Sequence, residues 1–214
     1  MNILIDEINF KKCCFSGYRP SKFPFALKKG NADFEVFYRN LNTTISALIE
    51  DDCRVFYTGM ASGFDIIAAE VVLKFKEQQP DLKLLAVVPF EEQEKTYSNE
   101  WKSRYDAVLA SCDEVIVLSR EYHAGCYQNR NKYMVDNSDY VVTWYDGKQG
   151  GTRNTLNYAQ KKLRYIVNVN TEYFKEFNNI QSKIDLWVKI LLHFVGTGVP
   201  DCPKRMFFEG ILDW

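Results

Sequence analysis

The chain has 214 residues, 46% hydrophobic and 26% charged, a balance that excludes a disordered protein and supplies one sizeable core of the larger α/β kind. Its 27 basic and 28 acidic residues leave a formal net charge of -1, so no overall field gathers a nucleic-acid backbone and a nucleic-acid partner is not expected. No stretch reaches the ~20 apolar residues of a membrane span, and the 6 cysteines and 2 histidines lack metal-ligand spacing, so the expectation is a cytoplasmic protein with reduced thiols, no metal and no membrane partner.

In chain order, "KKCCFSGY" reads as a buried strand running into a glycine turn. Residues 33 to 50 then carry Phe34, Phe37, Leu41, Ile45, Leu48 and Ile49 at helical spacing. "RVFYTG" repeats the strand-then-glycine pattern, and residues 65 to 79 carry Ile66, Ile67, Ala69, Val71, Val72 and Phe75 on a second helical period. "LKLLAVVPF" is apolar nearly throughout, as suits a strand covered on both faces. A polar stretch, a helix over residues 101 to 110, a strand at "DEVIVLS" and a polar segment with helical spacing in its second half follow. "DYVVTWYDG" is a fifth strand, residues 152 to 163 a helix and "RYIVNVN" a sixth strand.

Strict alternation of strand and helix predicts a Rossmann-like doubly wound α/β fold, with a mostly parallel sheet of about six strands and helices on both faces. The domain should span residues 1–170. Residues 171–214 read as an amphipathic helix, with Ile184, Leu186, Trp187, Ile190, Leu191 and Phe194 on one stripe, and an aromatic tail. That segment would pack on the same domain or on a partner subunit, which leaves room for a homo-oligomer.

In such sheets ligands gather at the carboxyl ends of the strands, where helix N-termini present unpaired N–H groups. The loop after the first strand carries Gly17 for a close turn and Arg19, a planar donor suited to phosphate or carboxylate; it also reads as a turn with a solvated arginine. The second loop, "TGMASGFD", brackets Ser62 between Gly59 and Gly63, with Asp65 placed to cap a helix or to accept from a ribose hydroxyl. "GKQGGTRNT" after the fifth strand offers Gly150, Gly151 and Thr152 as a capped phosphate cradle. Asn129, Arg130, Asn131 and Asp136 make a polar cluster that is costly to bury idle. Tyr18, Phe64, Phe90 and Trp144 could sandwich a base, although core packing is the commoner use of such residues.

Taken together and in order, "SGYRP", "GMASGFDIIAAE", "VVPF", "NRNKYMVDNSD" and "GGTRNTLNYA" resemble the YpsA-like family of the SLOG superfamily over about residues 10 to 170. That superfamily also holds the LOG phosphoribohydrolases, which cleave the base from a nucleoside monophosphate, and the DprA proteins, which bind single-stranded DNA. The resemblance implies a pocket for a nucleotide or a derivative formed by Gly17, Arg19, Gly59, Ser62, Gly63, Asp65, Gly151 and Thr152, with Arg130 and Gly150 added from the residues above. No further cofactor is required.

The LOG branch carries a glutamate three residues after its threonine, where a carboxylate supports the oxocarbenium-like state of glycoside cleavage. Here that position is Thr155, which cannot supply the charge. Asp65 and Asp146 are the nearest substitutes in the motif set, and neither is placed at a sugar by sequence. The expectation is therefore a nucleotide-binding protein of regulatory or sensory kind, with a rearranged nucleoside-monophosphate N-glycosidase as the alternative.

Overall fold

Six strands and five α-helices alternate through residues 10–171, the part of the chain that the computed structural model describes. The strands are β1 (Lys11–Phe15), β2 (Cys53–Thr58), β3 (Lys83–Val88), β4 (Glu114–Val117), β5 (Tyr140–Thr143) and β6 (Tyr165–Asn168). Between them lie α1 (Ala32–Glu50), α2 (Phe64–Lys76), α3 (Asn99–Ser111), α4 (Cys126–Asp136) and α5 (Gly151–Lys161). Two short 3-10 turns, Pro20–Lys22 and Gln93–Thr96, sit in the loops after β1 and β3. The helix and tail expected beyond residue 170 lie outside the described residues, Thr171 apart.

All neighbouring strands pair in parallel, in the order β4-β3-β2-β1-β5-β6. β1 is central: Cys14 is opposite Tyr57 on one side and Val141 on the other. Cys13, Cys14 and Phe15 are fully buried, which is why this strand is a short continuous apolar run with no polar alternation. Burial pushes the Cys14 thiol up to about 12, so it packs as a small hydrophobe.

The helices form two layers. α1, α2 and α3 pack side by side along one face, and α4 and α5 pack together on the other. The amphipathic stripe of α1 buries Phe37, Leu41, Ile45 and Leu48, and Asn31 accepts the Phe34 N–H at 3.0 Å to cap it. α2 is apolar nearly all round because it lies between α1, α3 and the sheet. Three of the four aromatics weighed for base stacking, Tyr18, Phe64 and Trp144, are core residues. Each buried ring of this kind is worth ~1.5–3 kcal/mol. No helix among the described residues is long and apolar enough to cross a membrane.

The order of the strands positions the site. The chain winds outward from β1 to β4, then returns to place β5 on the other side of β1. Loops leaving β1 and β5 therefore diverge, and their carboxyl ends open a crevice at the switch point.

Candidate functional site

Three loops meet at this crevice, and they prove physically unlike one another. The loop after β2 is closed by its own chain. Met60 N–H donates to Thr58 Oγ1 at 3.2 Å, the Ala61 N–H points at the Asp65 carboxylate, the Ser62 N–H at the Tyr97 hydroxyl, and Phe64 N–H donates to the Tyr18 carbonyl at 3.1 Å. Gly63 begins α2 at φ 96, and a side chain there would lie 2.5 Å from the Tyr18 carbonyl oxygen and 3.0 Å from Pro20. The loop after β1 thus lies directly on the start of α2 and covers the donors that an anion would use. Ser62 is buried with them.

Beneath this covered loop sits a buried ion pair. Arg130 Nη1 stands 3.9 Å from Asp65 Oδ2, with 6% and 4% of the side chains exposed. Arg130 Nη1 also donates to the Gly59 carbonyl, and Nε donates to Asn131 Oδ1 at 2.7 Å. A side chain at Gly59 would fall on the Arg130 guanidinium and 2.8 Å from Asp65 Oδ2, so this glycine is required by close approach. Burial raises the Asp65 carboxyl from its ordinary value to about 6, against the opposing pull of Arg130 and of the Ala61 and Gly17 N–H groups.

The network continues into the opening of α5. Asn131 Nδ2 donates to Thr155 Oγ1 at 2.8 Å, and Thr155 Oγ1 donates to the Gly151 carbonyl at 3.0 Å. Thr152 Oγ1 donates to the Gly17 carbonyl at 3.2 Å. The expectation that Thr152 caps α5 differs from this arrangement: Gly150 is the cap position, and the Thr152 hydroxyl ties α5 to the loop after β1. A chain of polar contacts therefore runs from Gly17 and Asp65 through Arg130, Asn131 and Thr155 to Gly151. The polar cluster read from sequence divides accordingly. Arg130 and Asn131 are inside this network, whereas Asn129 is exposed and Asp136 binds the Tyr158 hydroxyl and Lys162 at the surface.

The start of α5 is the open one. Gly150 adopts φ 148, and the space where Gly151 would carry a side chain holds no atom within 4 Å. The first N–H groups of a helix have no partner inside it, which leaves those of Gly151 and Thr152 as donors there. Lys22 is exposed, and its Nζ lies 3.1 Å from where a Gly150 side chain would begin. Arg19 is also exposed, and its guanidinium stands 5.4 Å from the centre of the Tyr127 ring. Asp146, at the far side of the loop after β5, accepts from the Tyr18 hydroxyl at 2.5 Å and from Lys148 Nζ at 2.6 Å. Although partial burial works the other way, these bonds hold its carboxyl below the usual range.

Gly17, Gly150, Gly151 and Thr152 thus meet at the start of α5, Arg19 lies against Tyr127 and beside Gly63, and Gly59, Ser62, Gly63, Asp65 and Arg130 form the closed part of the crevice. Lys22 was missed by sequence reading, although it follows Arg19 by three residues inside the quoted "SGYRPSKF". Thr155 and Asn131 were quoted, but their mutual bond depends on α4 lying against α5 and has no local signature.

A model of the YspA SLOG family matches residues 13–176, from within β1 to beyond β6. The chain belongs to the YspA SLOG family. It is 37% identical over 118 residues to the uncharacterized SPbeta prophage-derived protein YoqJ of Bacillus subtilis, covering 50% of this chain and 69% of the relative. It is 27% identical over 177 residues to a UPF0398 protein of Bacillus thuringiensis, covering 82% of this chain and 95% of that one.

Among solved structures, this YspA SLOG chain resembles DNA processing protein A (DprA) from Streptococcus pneumoniae, with a TM-score of 0.51 and 18% identity over 89% of the chain. The match spans 57% of that DprA chain. DprA from Helicobacter pylori, described for its single-stranded DNA binding mode, aligns with a TM-score of 0.52 and 16% identity over 87% of this chain and 81% of its own. At these identities the likeness is one of fold. The expectation that no nucleic acid binds rests on the formal charge of -1 alone.

Proposed function

We propose that this YspA SLOG protein binds a nucleotide or nucleotide-derived small molecule at the carboxyl ends of its strands, in a regulatory or sensory role, within the cytoplasm. The observation that carries this reading is the start of α5, where the side-chain space at Gly151 is open, Lys22 Nζ lies 3.1 Å from where a Gly150 side chain would begin, and the exposed Arg19 belongs to the same loop as Lys22. Helix N-terminal N–H groups with a bidentate guanidinium and an ammonium match the charge and donor geometry of a phosphate. The cysteines among the described residues are free and mostly buried, in keeping with a reducing compartment.

Binding is favoured over cleavage by where the carboxylates are. Asp65 is buried beside Arg130, and Asp146 is held by Tyr18 and Lys148. Thr155 uses its hydroxyl to hold Asn131 and Gly151 together. The test is calorimetric titration with nucleoside mono- and diphosphates and dinucleotides. At least one should bind, and Arg19→Ala should weaken it by about 10- to 100-fold, the worth of a charge-assisted bond. No heat across the panel, or an unchanged affinity in the variant, would refute the reading. Release of free base on prolonged incubation, followed by chromatography, would replace it with a hydrolytic one.

A further inference from the structure

Of the aromatics weighed from sequence, Phe90 is the one that did not enter the core. It follows β3 and meets Tyr122, in the loop after β4, at 5.5 Å between ring centres, and Tyr127, in the first turn of α4, at 5.7 Å. Tyr122 and Tyr127 are 6.3 Å apart. None of the three belongs to the hydrophobic core or packs against it, and Tyr122 is 65% exposed. Aromatic rings gathered at a surface without a core to fill leave apolar area in water that a ligand could cover.

Their position says which ligand. The Arg19 guanidinium lies 5.4 Å from the centre of the Tyr127 ring and Lys22 Nζ lies 3.1 Å from where a Gly150 side chain would begin, so the loop after β1 borders both the rings and the anion opening at α5. Between β3, which ends two residues before Phe90, and β5, whose following loop leads to Gly150, there are three strand spacings, or about 14 Å. A ligand that fills both places is larger than an inorganic anion, anionic at one end and flat and aromatic at the other. That combination is a phosphate joined through a sugar to a base.

We infer that Phe90, Tyr122 and Tyr127 form the platform on which the nucleobase stacks. This rests on the nucleotide reading and adds the end of the ligand which that reading leaves open. Stacking on aromatic rings accepts any base, because every base presents a π-face. The same chemistry is offered by a free nucleotide and by one base of a single strand.

The experiment titrates the full chain with ribose 5-phosphate, the common nucleoside monophosphates and a short oligothymidylate, for the wild type, Tyr122→Ala and Tyr122→Phe. Because the ring lies outside the core, thermal unfolding of the variants should match the wild type. At least one base-bearing ligand should bind about tenfold or more tightly than ribose 5-phosphate. Tyr122→Ala should remove that margin and leave ribose 5-phosphate unchanged, while Tyr122→Phe keeps it. A margin seen with mononucleotides assigns the platform to a free nucleotide, and one seen with the oligonucleotide alone assigns it to a strand. If nucleotides bind but no better than ribose 5-phosphate, or equally well to Tyr122→Ala, the platform is refuted and the nucleotide reading stands. If nothing in the panel binds, both fall.

Discussion

Asp65 sets a testable pH dependence. Its folded carboxyl titrates at about 6, against an ordinary value of 3.8, because burial outweighs the help of Arg130 and the nearby N–H groups. A carboxyl with a raised folded value holds its proton more tightly in the folded chain than in the unfolded one. Its contribution to stability is therefore complete below the unfolded value and is lost as the pH climbs through 6. Linkage gives a loss of about 2 kcal/mol between about pH 4.5 and about pH 7.5. In a domain of this size that is about 4–8 °C in melting temperature.

Other carboxylates, Asp113, Asp136 and Asp146 among them, have lowered values and push the opposite way. They are common to the wild type and to Asp65→Asn, so the difference between the two isolates Asp65. Thermal unfolding of both proteins at the two pH values should show the wild type gaining about 4–8 °C relative to the variant on acidification. A difference that is the same at both pH values would refute a buried, proton-holding Asp65.

The glycines of the site should separate by role. Gly59→Ala puts a methyl group onto Arg130 and Asp65 and should cost about 1–3 kcal/mol, read in chemical denaturation. Gly151→Ala meets no atom within 4 Å, so its stability should change by less than about 1 kcal/mol, while calorimetry shows about tenfold or more loss of nucleotide affinity. Thr155→Ala deprives Asn131 and the Gly151 carbonyl of a shared partner and should destabilise by about 1–2 kcal/mol, again by denaturation.

The sheet was legible because buried parallel strands leave a direct trace: "KKCCF" and "LKLLAVV" have no room for alternation, and the helices between them carry stripes at spacings of three and four. Loops were legible as loops, but not as open or closed. "TGMASGFD" and "GKQGGTRNT" look alike as glycine-bearing helix starts. What separates them is that the backbone of the chain after β1 covers the start of α2 but meets α5 only through the Thr152 hydroxyl and the Lys22 side chain, a matter of strand order that spacing does not encode. For the same reason Asp65, read as free for a cap or a ribose, lies under that loop beside Arg130, which is 65 residues further along. Phe90 and Tyr127 are likewise brought together by the packing of successive loops, so their platform had no sequence signature.

A crystal structure grown with the tightest-binding nucleotide tests most directly whether the opening of α5 holds a phosphate group. Phosphate oxygens should lie within hydrogen-bonding distance, ~2.7–3.2 Å, of the Gly151 N–H and of the Arg19 or Lys22 side chain. A nucleotide bound elsewhere, or with its phosphate on the Gly59–Gly63 loop and away from α5, would contradict this placement.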